Sequence, residues 1–515
     1  MSTTREATGL ARWLAWCSVP AFVIGVLLYP DARIHPMGTG LAAVLVGAGL
    51  AGTLWLGRPR LLVVVALAAG FLPSATGGFA ALACTLILAM MFFGAERAGK
   101  ALRWADVALL AALAWAALSW LVNLGRETDL WSFPLALLMF WAPWILVFLL
   151  RASFPAAVSS HARSAWLALI LVQFVPALLK PLATGMLGAY LVPLLPLELA
   201  GVTLPGHDAI SAASDITTGT MTSAHHLGVV AVLGLAYLAA WYWRERRPLQ
   251  LLGAAALGYL LLMADAKHVL LAFLLVGPPT GVILVWRELR RRARAGLLVV
   301  GAVMVLGTTA FVGVQVASLV EVGLWQPLVG FAGINPKVQL YTRTAAQMKP
   351  DEVHTWIGYG PGAFASRAAS SRATGALYTE ETRLPSFIPS FTPPAYGRTV
   401  YDLYTASIVA TSGYRSTVLT SPFSSIVGIV AEYGVLGSLL VGVFLVALVR
   451  EGALAWRDAG RPARWRAAGA ALAIAVPLLV VLGLFDSYFE QPDVVMPIAV
   501  LWLLVMPETK EGQSA

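Results

Sequence analysis

The chain has few charged residues: Asp, Glu, Lys and Arg make up 12% of its 515 residues. A typical soluble protein carries about 25%. Hydrophobic residues make up 59% of the chain, and its mean hydropathy is +0.78. This composition excludes an ordinary soluble protein and predicts a chain that is surrounded mostly by lipid.

Cysteine is also scarce. Cys17 and Cys84 lie inside apolar runs without Cys-x-x-Cys spacing, so we interpret them as buried small hydrophobic residues. A zinc site is poorly supported as well, because the neighbouring His225 and His226 cannot share one helix face. We therefore expect neither a metal nor a cofactor.

Long apolar runs are abundant, and they predict an all-α polytopic membrane protein with 12 to 14 transmembrane helices. A membrane-spanning helix needs about 20 apolar residues. The predicted spans are 13–29, 38–56, 60–73, 77–94, 105–124, 133–151, 164–182, 226–244, 249–264, 267–287, 295–317, 423–449, 466–486 and 491–506.

The basic residues are concentrated in alternate connectors between these spans. One side holds 23 of the 35 Lys and Arg residues, whereas the short connectors of the other side hold four. Cytoplasmic connectors are enriched in Lys and Arg. The pattern predicts cytoplasmic termini in a bacterial inner membrane, and it explains the net charge of +9 without a nucleic-acid partner.

The same pattern divides the chain into three parts. Residues 1–317 contain helices 1–11, with an outward loop at 183–225, and residues 318–422 form a large outward, periplasmic loop domain. Residues 423–515 hold the last transmembrane helices and a cytoplasmic tail. Within the loop domain, the stretch 338–348 is predicted to be helical and to end before a proline.

Four stretches occur in a recognisable order. They are TGTMTSAHHLGVVAVLGLAYL (218–238), ADAKHVLLAFLL (264–275), WIGYGPGAF (356–364) and a spaced set in which Ser424 precedes Gly434 and Gly437. Together they resemble the O-antigen ligase and polymerase family, in which such a spaced set follows the large periplasmic loop. Ser421 and Ser424 are also predicted N-caps of the helix that follows them.

The resemblance implies an inverting, metal-independent glycosyltransferase with a GT-C-like fold. Such enzymes take a glycan from undecaprenyl diphosphate on the outer leaflet. Ligases transfer it to lipid A–core, and polymerases transfer it to the next lipid-linked repeat unit. The implied partners are this lipid-linked donor, a glycan or glycolipid acceptor, membrane lipids, and chain-length regulators or export proteins.

Two positions depart from the family pattern. Phe423 stands where the ligases carry a histidine, and Ile216 stands where the family often carries an arginine. Phenylalanine cannot accept a proton, which excludes a base at that position. We therefore expect a polysaccharide polymerase rather than a lipid A–core ligase.

The expected chemistry needs cations to hold the leaving diphosphate. Lys267 matches the basic position of a family motif and is predicted to lie at the outer membrane face. Three arginines in the loop domain are further candidates for diphosphate binding: Arg343, Arg398 and Arg415.

The attacking hydroxyl also needs a proton acceptor. Four residues compete for this catalytic role: His354, His226, His268 and Glu432. Counted along a continuous helix from residue 423, Glu432 would lie about 14 Å inside the membrane. At that depth Glu432 could instead pair with a cation from a neighbouring helix.

Two other functions stay open at this point. The number of spans also suits a transporter or flippase for lipid-linked oligosaccharides, although the sequence shows no internal repeat and has a single large outward domain. A non-enzymatic scaffold for a polysaccharide export complex is the third hypothesis.

Overall fold

The computed structural model describes residues 102–153, 160–175, 223–264, 266–292, 335–374, 388–410 and 422–505, together with positions 82, 85, 86, 89, 90, 177 and 221. Within these ranges the regular structure is helical and contains no strand. The predicted spans 13–29, 38–56, 60–73 and 295–317 lie outside the described residues, as do Arg415 and Ser421.

Helices of the membrane region account for most of the described chain. They are α1 (Trp104–Asn123), α2 (Ser132–Ala152), α3 (Ser160–Val172), α4 (Ala224–Glu245), α5 (Pro248–Met263), α6 (Lys267–Arg292), α12 (Ser425–Arg457), α13 (Ala463–Phe485) and α14 (Pro492–Leu504). The segment between α6 and α12, which we call the outward segment after the orientation that its sequence predicts, contributes α7 (Pro336–Gln347), α8 (Val353–Ile357), α9 (Arg367–Thr374), α10 (Pro394–Thr399) and α11 (Tyr401–Ala410).

Six of the described helices are long and apolar enough to cross a membrane, namely α1, α2, α4, α6, α12 and α13. They begin and end close to the predicted apolar runs; α1, for example, occupies Trp104–Asn123 where 105–124 was expected. The chain is therefore an all-α polytopic membrane protein. Helix α12 continues to Arg457, past the expected end at 449, because a helix need not stop where its sequence becomes charged.

Small residues let these helices approach closely. A β-carbon added to Gly452 of α12 would lie 2.6 Å from the carbonyl oxygen of Gly469 in α13. On Gly234 of α4, a β-carbon would lie 2.6 Å from Leu257 of α5 and 2.7 Å from Ile170 of α3. Such contacts are typical of helix packing in membranes, where van der Waals contact rather than the hydrophobic effect holds helices together.

Arginine–tryptophan stacking marks one end of the bundle, which we call the Arg–Trp end. The guanidinium of Arg151 lies 4.1 Å from the ring centre of Trp502, and that of Arg244 lies 4.0 Å from Trp456. Arg151 also lies 3.3 Å from a carboxylate oxygen of Glu451. These arginines belong to separate basic connectors, so the fold gathers those connectors at a single end of the helices.

The outward segment packs directly on α12. Its buried apolar residues include Leu340, Phe364 and Tyr396, and their cluster extends to Val427 and Ala431 of α12. Its first helix, α7, was expected at 338–348 and occupies Pro336–Gln347. The described outward segment therefore shares a core with a membrane helix.

Helix α12 is broken at Gly434, whose φ of 68° and ψ of −176° are not helical. Its first segment, 425–433, is capped by Ser424, which accepts a hydrogen bond from the Val427 amide as predicted. A break of this kind removes helical partners from the backbone groups beside it. Inside a membrane protein those groups need other partners.

Those partners come from the glycine loop, residues 358–364, and from α1. The amide of Tyr359 donates to the carbonyl of Ala431 at 2.9 Å, and that of Gly360 donates to the carbonyl of Glu432 at 3.0 Å. The indole of Trp115 in α1 donates to the carbonyl of Tyr433 at 2.9 Å. Backbone of the outward segment thus completes the hydrogen bonding of a broken membrane helix.

The glycines make this contact possible because both chains approach at the backbone. Gly358 and Gly434 have φ values of 82° and 68°, in the region that favours glycine. A β-carbon on Gly358 would lie 2.2 Å from the carbonyl oxygen of Glu432, and one on Gly434 would lie 2.5 Å from the Gly358 nitrogen. Neither position has room for a side chain.

The contacts of Glu432 define its position better than a count along the helix. The value of about 14 Å counted nine helical residues from residue 423, and the segment 425–433 is helical, so the break at Gly434 lies beyond Glu432 and leaves this count unchanged. The hydroxyl of Ser119 donates to the Glu432 carbonyl at 3.2 Å, and Ser119 lies one turn before α1 ends at Asn123. One helical turn is about 5.4 Å, so the Glu432 backbone lies about one turn from the end of α1.

We predict that Gly434→Ala destabilises the protein and that Gly442→Ala does not. Alanine at 434 would meet backbone atoms at 2.5 Å and would hold a strained φ, a strain of roughly 1–3 kcal/mol before any clash. Gly442 lies in the same helix with no atom within 4 Å of an added β-carbon. Thermal unfolding in detergent checks both variants, and equal melting temperatures would contradict the role given to the break.

Candidate functional site

Polar residues gather at the end of the bundle away from the Arg–Trp end. Helix α13 begins at the Arg–Trp end and finishes at Phe485, and a short connector then leads to α14. We define the connector cluster as the residues that meet around this connector: His226, His268, Lys337, Arg367, Asp486, Tyr488, Glu490 and Asp493. Two of the predicted catalytic residues, His226 and His268, belong to it.

A histidine–aspartate pair forms one side of the cluster. His226 lies in the first turn of α4, which Ser223 caps, and its Nδ1 lies 2.8 Å from Oδ2 of Asp493. Asp493 is fully buried in the first turn of α14, where a helix favours negative charge. The carboxylate fixes the ring through Nδ1. Nε2 then has no hydrogen-bond partner among the residues that the structure describes, so it can accept a proton.

His268 occupies the neighbouring position. Its Nε2 lies 2.5 Å from the hydroxyl of Tyr488, and its ring centre lies 4.5 Å from that of His225. The first turns of α4 and α6 therefore bring these histidines together. Lys267 is the first residue of α6, so its backbone lies beside the cluster, and its side chain lies outside the described residues.

Arg367 is the cation that sequence reasoning missed. Its amide donates to Oε2 of Glu490 at 2.6 Å, and its Nε donates to the hydroxyl of Ser487 at 2.5 Å. A terminal nitrogen lies 3.8 Å from Asp486, and the guanidinium carbon lies 5.4 Å from the ring centre of Phe423. The available signal was its position three residues after the motif WIGYGPGAF, which ends at Phe364.

Lys337 supplies a second cation, and this one is buried. Its Nζ donates to the carbonyl of Phe423 at 2.5 Å and to the carbonyl of Phe485, the last residue of α13. A cation is favoured there because a helix C-terminus carries partial negative charge. Burial lowers the pKa of Lys337 to about 8, opposed by the negative charge of Asp486, so the amine stays mostly protonated at neutral pH.

Asp486 is held as a carboxylate by these two cations. Burial would raise its pKa, but the charges of Arg367 and Lys337 and the Ser487 amide together lower it below the usual value. The cations of the cluster thus face an internal anion. A phosphate group would interact with them by the same charge-assisted contacts.

Glu432 lies beneath the glycine loop. One carboxylate oxygen accepts from the Gly362 amide at 2.8 Å, and the other accepts from Phe364 at 2.9 Å and Ser366 at 3.3 Å. In the part of the chain that is described, no cation lies within 4.0 Å of this carboxylate. The sequence left open that Glu432 pairs with a cation from a neighbouring helix; in the structure three backbone amides donate to its carboxylate instead.

A small cavity separates Glu432 from the connector cluster. Its lining includes Ser366, Ser424, Tyr433 and Glu490. The space suits about one water molecule. Burial, followed by the nearby negative charge of Glu432, raises the pKa of Glu490 to about 8. Glu490 therefore holds a proton at neutral pH.

The remaining described candidates make contacts away from the connector cluster. Arg343 binds both oxygens of Asp402 at 2.7 and 2.9 Å, and Arg398 binds Glu127 at 2.9 Å. The ring of His354 stacks on Tyr359 at 4.5 Å, beside the glycine loop. The contacts given for Arg343, Arg398 and His354 are thus with residues outside the connector cluster, whereas His226 and His268 belong to it. Their predicted roles stay predictions.

Comparison with known proteins gives no assignment. No family model matches the chain, and no curated protein matches its sequence. The relation to the O-antigen ligase and polymerase family is therefore a resemblance in four motifs.

We predict that Glu432→Gln lowers the melting temperature. An amide in place of the carboxyl group would turn an NH₂ group toward backbone N–H groups that now donate to its oxygens, and it would leave a buried donor unsatisfied. Removing one partner of such a buried contact costs roughly 1–3 kcal/mol. Glu352→Gln, at an exposed position, is the matched control. Similar unfolding temperatures for the two variants would contradict the anchoring role.

We also predict a pH dependence of stability that comes from Glu490. Because its pKa rises from 4.5 to about 8 on folding, the folded state holds a proton that the unfolded state releases in this range. The contribution of Glu490 to the free energy of unfolding is complete below pH 4.5 and is lost as pH rises through about 8. The melting temperature of Glu490→Gln should therefore fall less steeply with rising pH over this range than that of the unmodified protein. An unchanged slope would rule out the raised pKa, with Glu352→Gln as the control.

Proposed function

We propose that the protein is a membrane glycosyltransferase that transfers glycans from undecaprenyl diphosphate on the outer face of a bacterial inner membrane. The observation that supports this most directly is the connector cluster. It combines a histidine–aspartate pair with a buried lysine and a partly buried arginine at the bundle end opposite the Arg–Trp end. The four family-like motifs support the same function.

In the proposed reaction, an acceptor hydroxyl attacks the anomeric carbon of the donor glycan. The bond between that carbon and the phosphate oxygen breaks, and undecaprenyl diphosphate leaves with the bonding electrons. His226 Nε2 accepts the hydroxyl proton, while Asp493 stabilises the resulting imidazolium. Attack from the face opposite the leaving group inverts the anomeric configuration.

The leaving diphosphate gains negative charge as the bond breaks. Arg367 is suited to offset this charge because a guanidinium binds phosphate oxygens through several donors at once. In the structure its side chain donates to Ser487 and lies near Asp486, so both contacts have to rearrange when a diphosphate binds. Lys267, at the start of α6, is the further cation that the motif resemblance provides.

The proposed orientation follows from the two ends of the bundle. Basic connectors favour the cytoplasm, so the Arg–Trp end and both chain termini lie there, and the connector cluster faces the periplasm. We favour a polymerase over a lipid A–core ligase, because Phe423 occupies the position of the ligase histidine and cannot accept a proton.

Purified protein in nanodiscs with native lipid-linked repeat units should lengthen the glycan. We predict that Arg367→Ala and His226→Ala each lower the rate by about 100-fold or more, whereas Arg367→Lys keeps part of the activity. Lys349→Ala removes an exposed cation of the outward segment and should be neutral. Product length on gels measures the rate, and size-exclusion profiles confirm that each variant folds.

The outcomes separate the competing functions. Transfer to lipid A–core instead of to a second repeat unit would identify a ligase. Counterflow of lipid-linked oligosaccharide in proteoliposomes, without any glycan transfer, would overturn the glycosyltransferase and support a flippase. Full activity of both Arg367→Ala and His226→Ala would overturn the assignment of the connector cluster.

A further inference from the structure

We propose that α8 lies in the outer membrane interface and presents an apolar face to lipid. Helix α8 spans Val353–Ile357 and belongs to the outward segment, which the sequence places in water. Val353 is 60% exposed and Trp356 is 47% exposed. Since residues three apart share a helix face, the two side chains form one exposed apolar patch.

The other side of α8 is occupied by protein. Thr355 is buried, and its hydroxyl donates to the carbonyl of Lys349. His354 stacks on Tyr359 at 4.5 Å. The helix is thus fixed in rotation, and the exposed patch has a defined direction.

The exposed side chain of Trp356 has no unsatisfied polar group. Its indole nitrogen donates to the carbonyl of Pro350 at 3.1 Å, so the only polar group of the side chain is satisfied within the protein. A satisfied indole can enter the interface without leaving an unpaired donor. Tryptophan is also enriched where membrane meets water.

Contacts place α8 beside lipid-facing helix surface. The carbonyl of Ile357 accepts from the hydroxyl of Ser119 in α1 at 2.7 Å, one turn before α1 ends. Next to Ser119, Leu118 and Leu121 of α1 are exposed. The C-terminal end of α8 therefore lies about one helical turn, or 5.4 Å, below the outer end of a membrane span.

The second flank is α12. The Trp356 carbonyl oxygen would lie 2.5 Å from a β-carbon on Gly434, so α8 contacts α12 at its break. Just beyond the break, Leu436 and Leu439 are 40% and 61% exposed. The apolar patch of α8 is thus continuous with the apolar surfaces of two spans, which makes lipid its occupant.

The test uses a chain in which both native cysteines are replaced, as Cys17→Ser and Cys84→Ser. Val353→Cys and Trp356→Cys are labelled with an environment-sensitive fluorophore in nanodiscs. Ala345→Cys, at an exposed position on α7, is the matched control. Quenching by lipids that carry a doxyl group near the headgroup is compared with quenching by aqueous iodide.

We expect doxyl lipids to quench the labels at 353 and 356 several-fold more than the label at 345, and iodide to show the reverse order. Equal iodide quenching at all three positions would place α8 in water and overturn the proposal. Protection of 353 and 356 from both quenchers would also overturn it, because protein, such as a second copy of the chain, would then cover the patch. None of these outcomes depends on glycan transfer.

Discussion

The backbone contact between the broken helix α12 and the glycine loop is the interaction on which the rest of the described structure depends. At Gly434 the helix gives up its own hydrogen bonds, and amides of the loop replace them. Buried backbone groups need partners, so helix and loop require each other. The contact is backbone to backbone, and only glycine allows the approach at Gly358 and Gly434.

This contact also sets the position of the candidate site. The glycine loop ends against the Glu432 carboxylate, and Arg367 follows directly with its side chain at the α13–α14 connector. At the start of α12, Ser425 accepts from the amide of Phe489 and donates to the carbonyl of Asp486. The short first segment of α12 thus links the loop at one end to the connector at the other.

Ion pairs occur at both ends of the bundle. At the Arg–Trp end, Arg151 stacks on Trp502 and lies 3.3 Å from Glu451. In the connector cluster, Asp486 lies 3.8 Å from Arg367. Buried ion pairs contribute little net stability, so neither pair by itself accounts for the stability of its end of the bundle.

The sequence by itself determined the helical membrane class, the approximate limits of the spans that the structure describes, and the gathering of basic connectors, because these follow from local composition and spacing. It also nominated His226 and His268, since polar residues at the mouth of an apolar run stand out. Tertiary structure alone decided that Arg367 and Asp493 join them, because the partners are far apart in sequence. Hydrophobic periodicity likewise describes α12 as one continuous helix. The break at Gly434 exists only because the glycine loop supplies the hydrogen bonds that the helix loses.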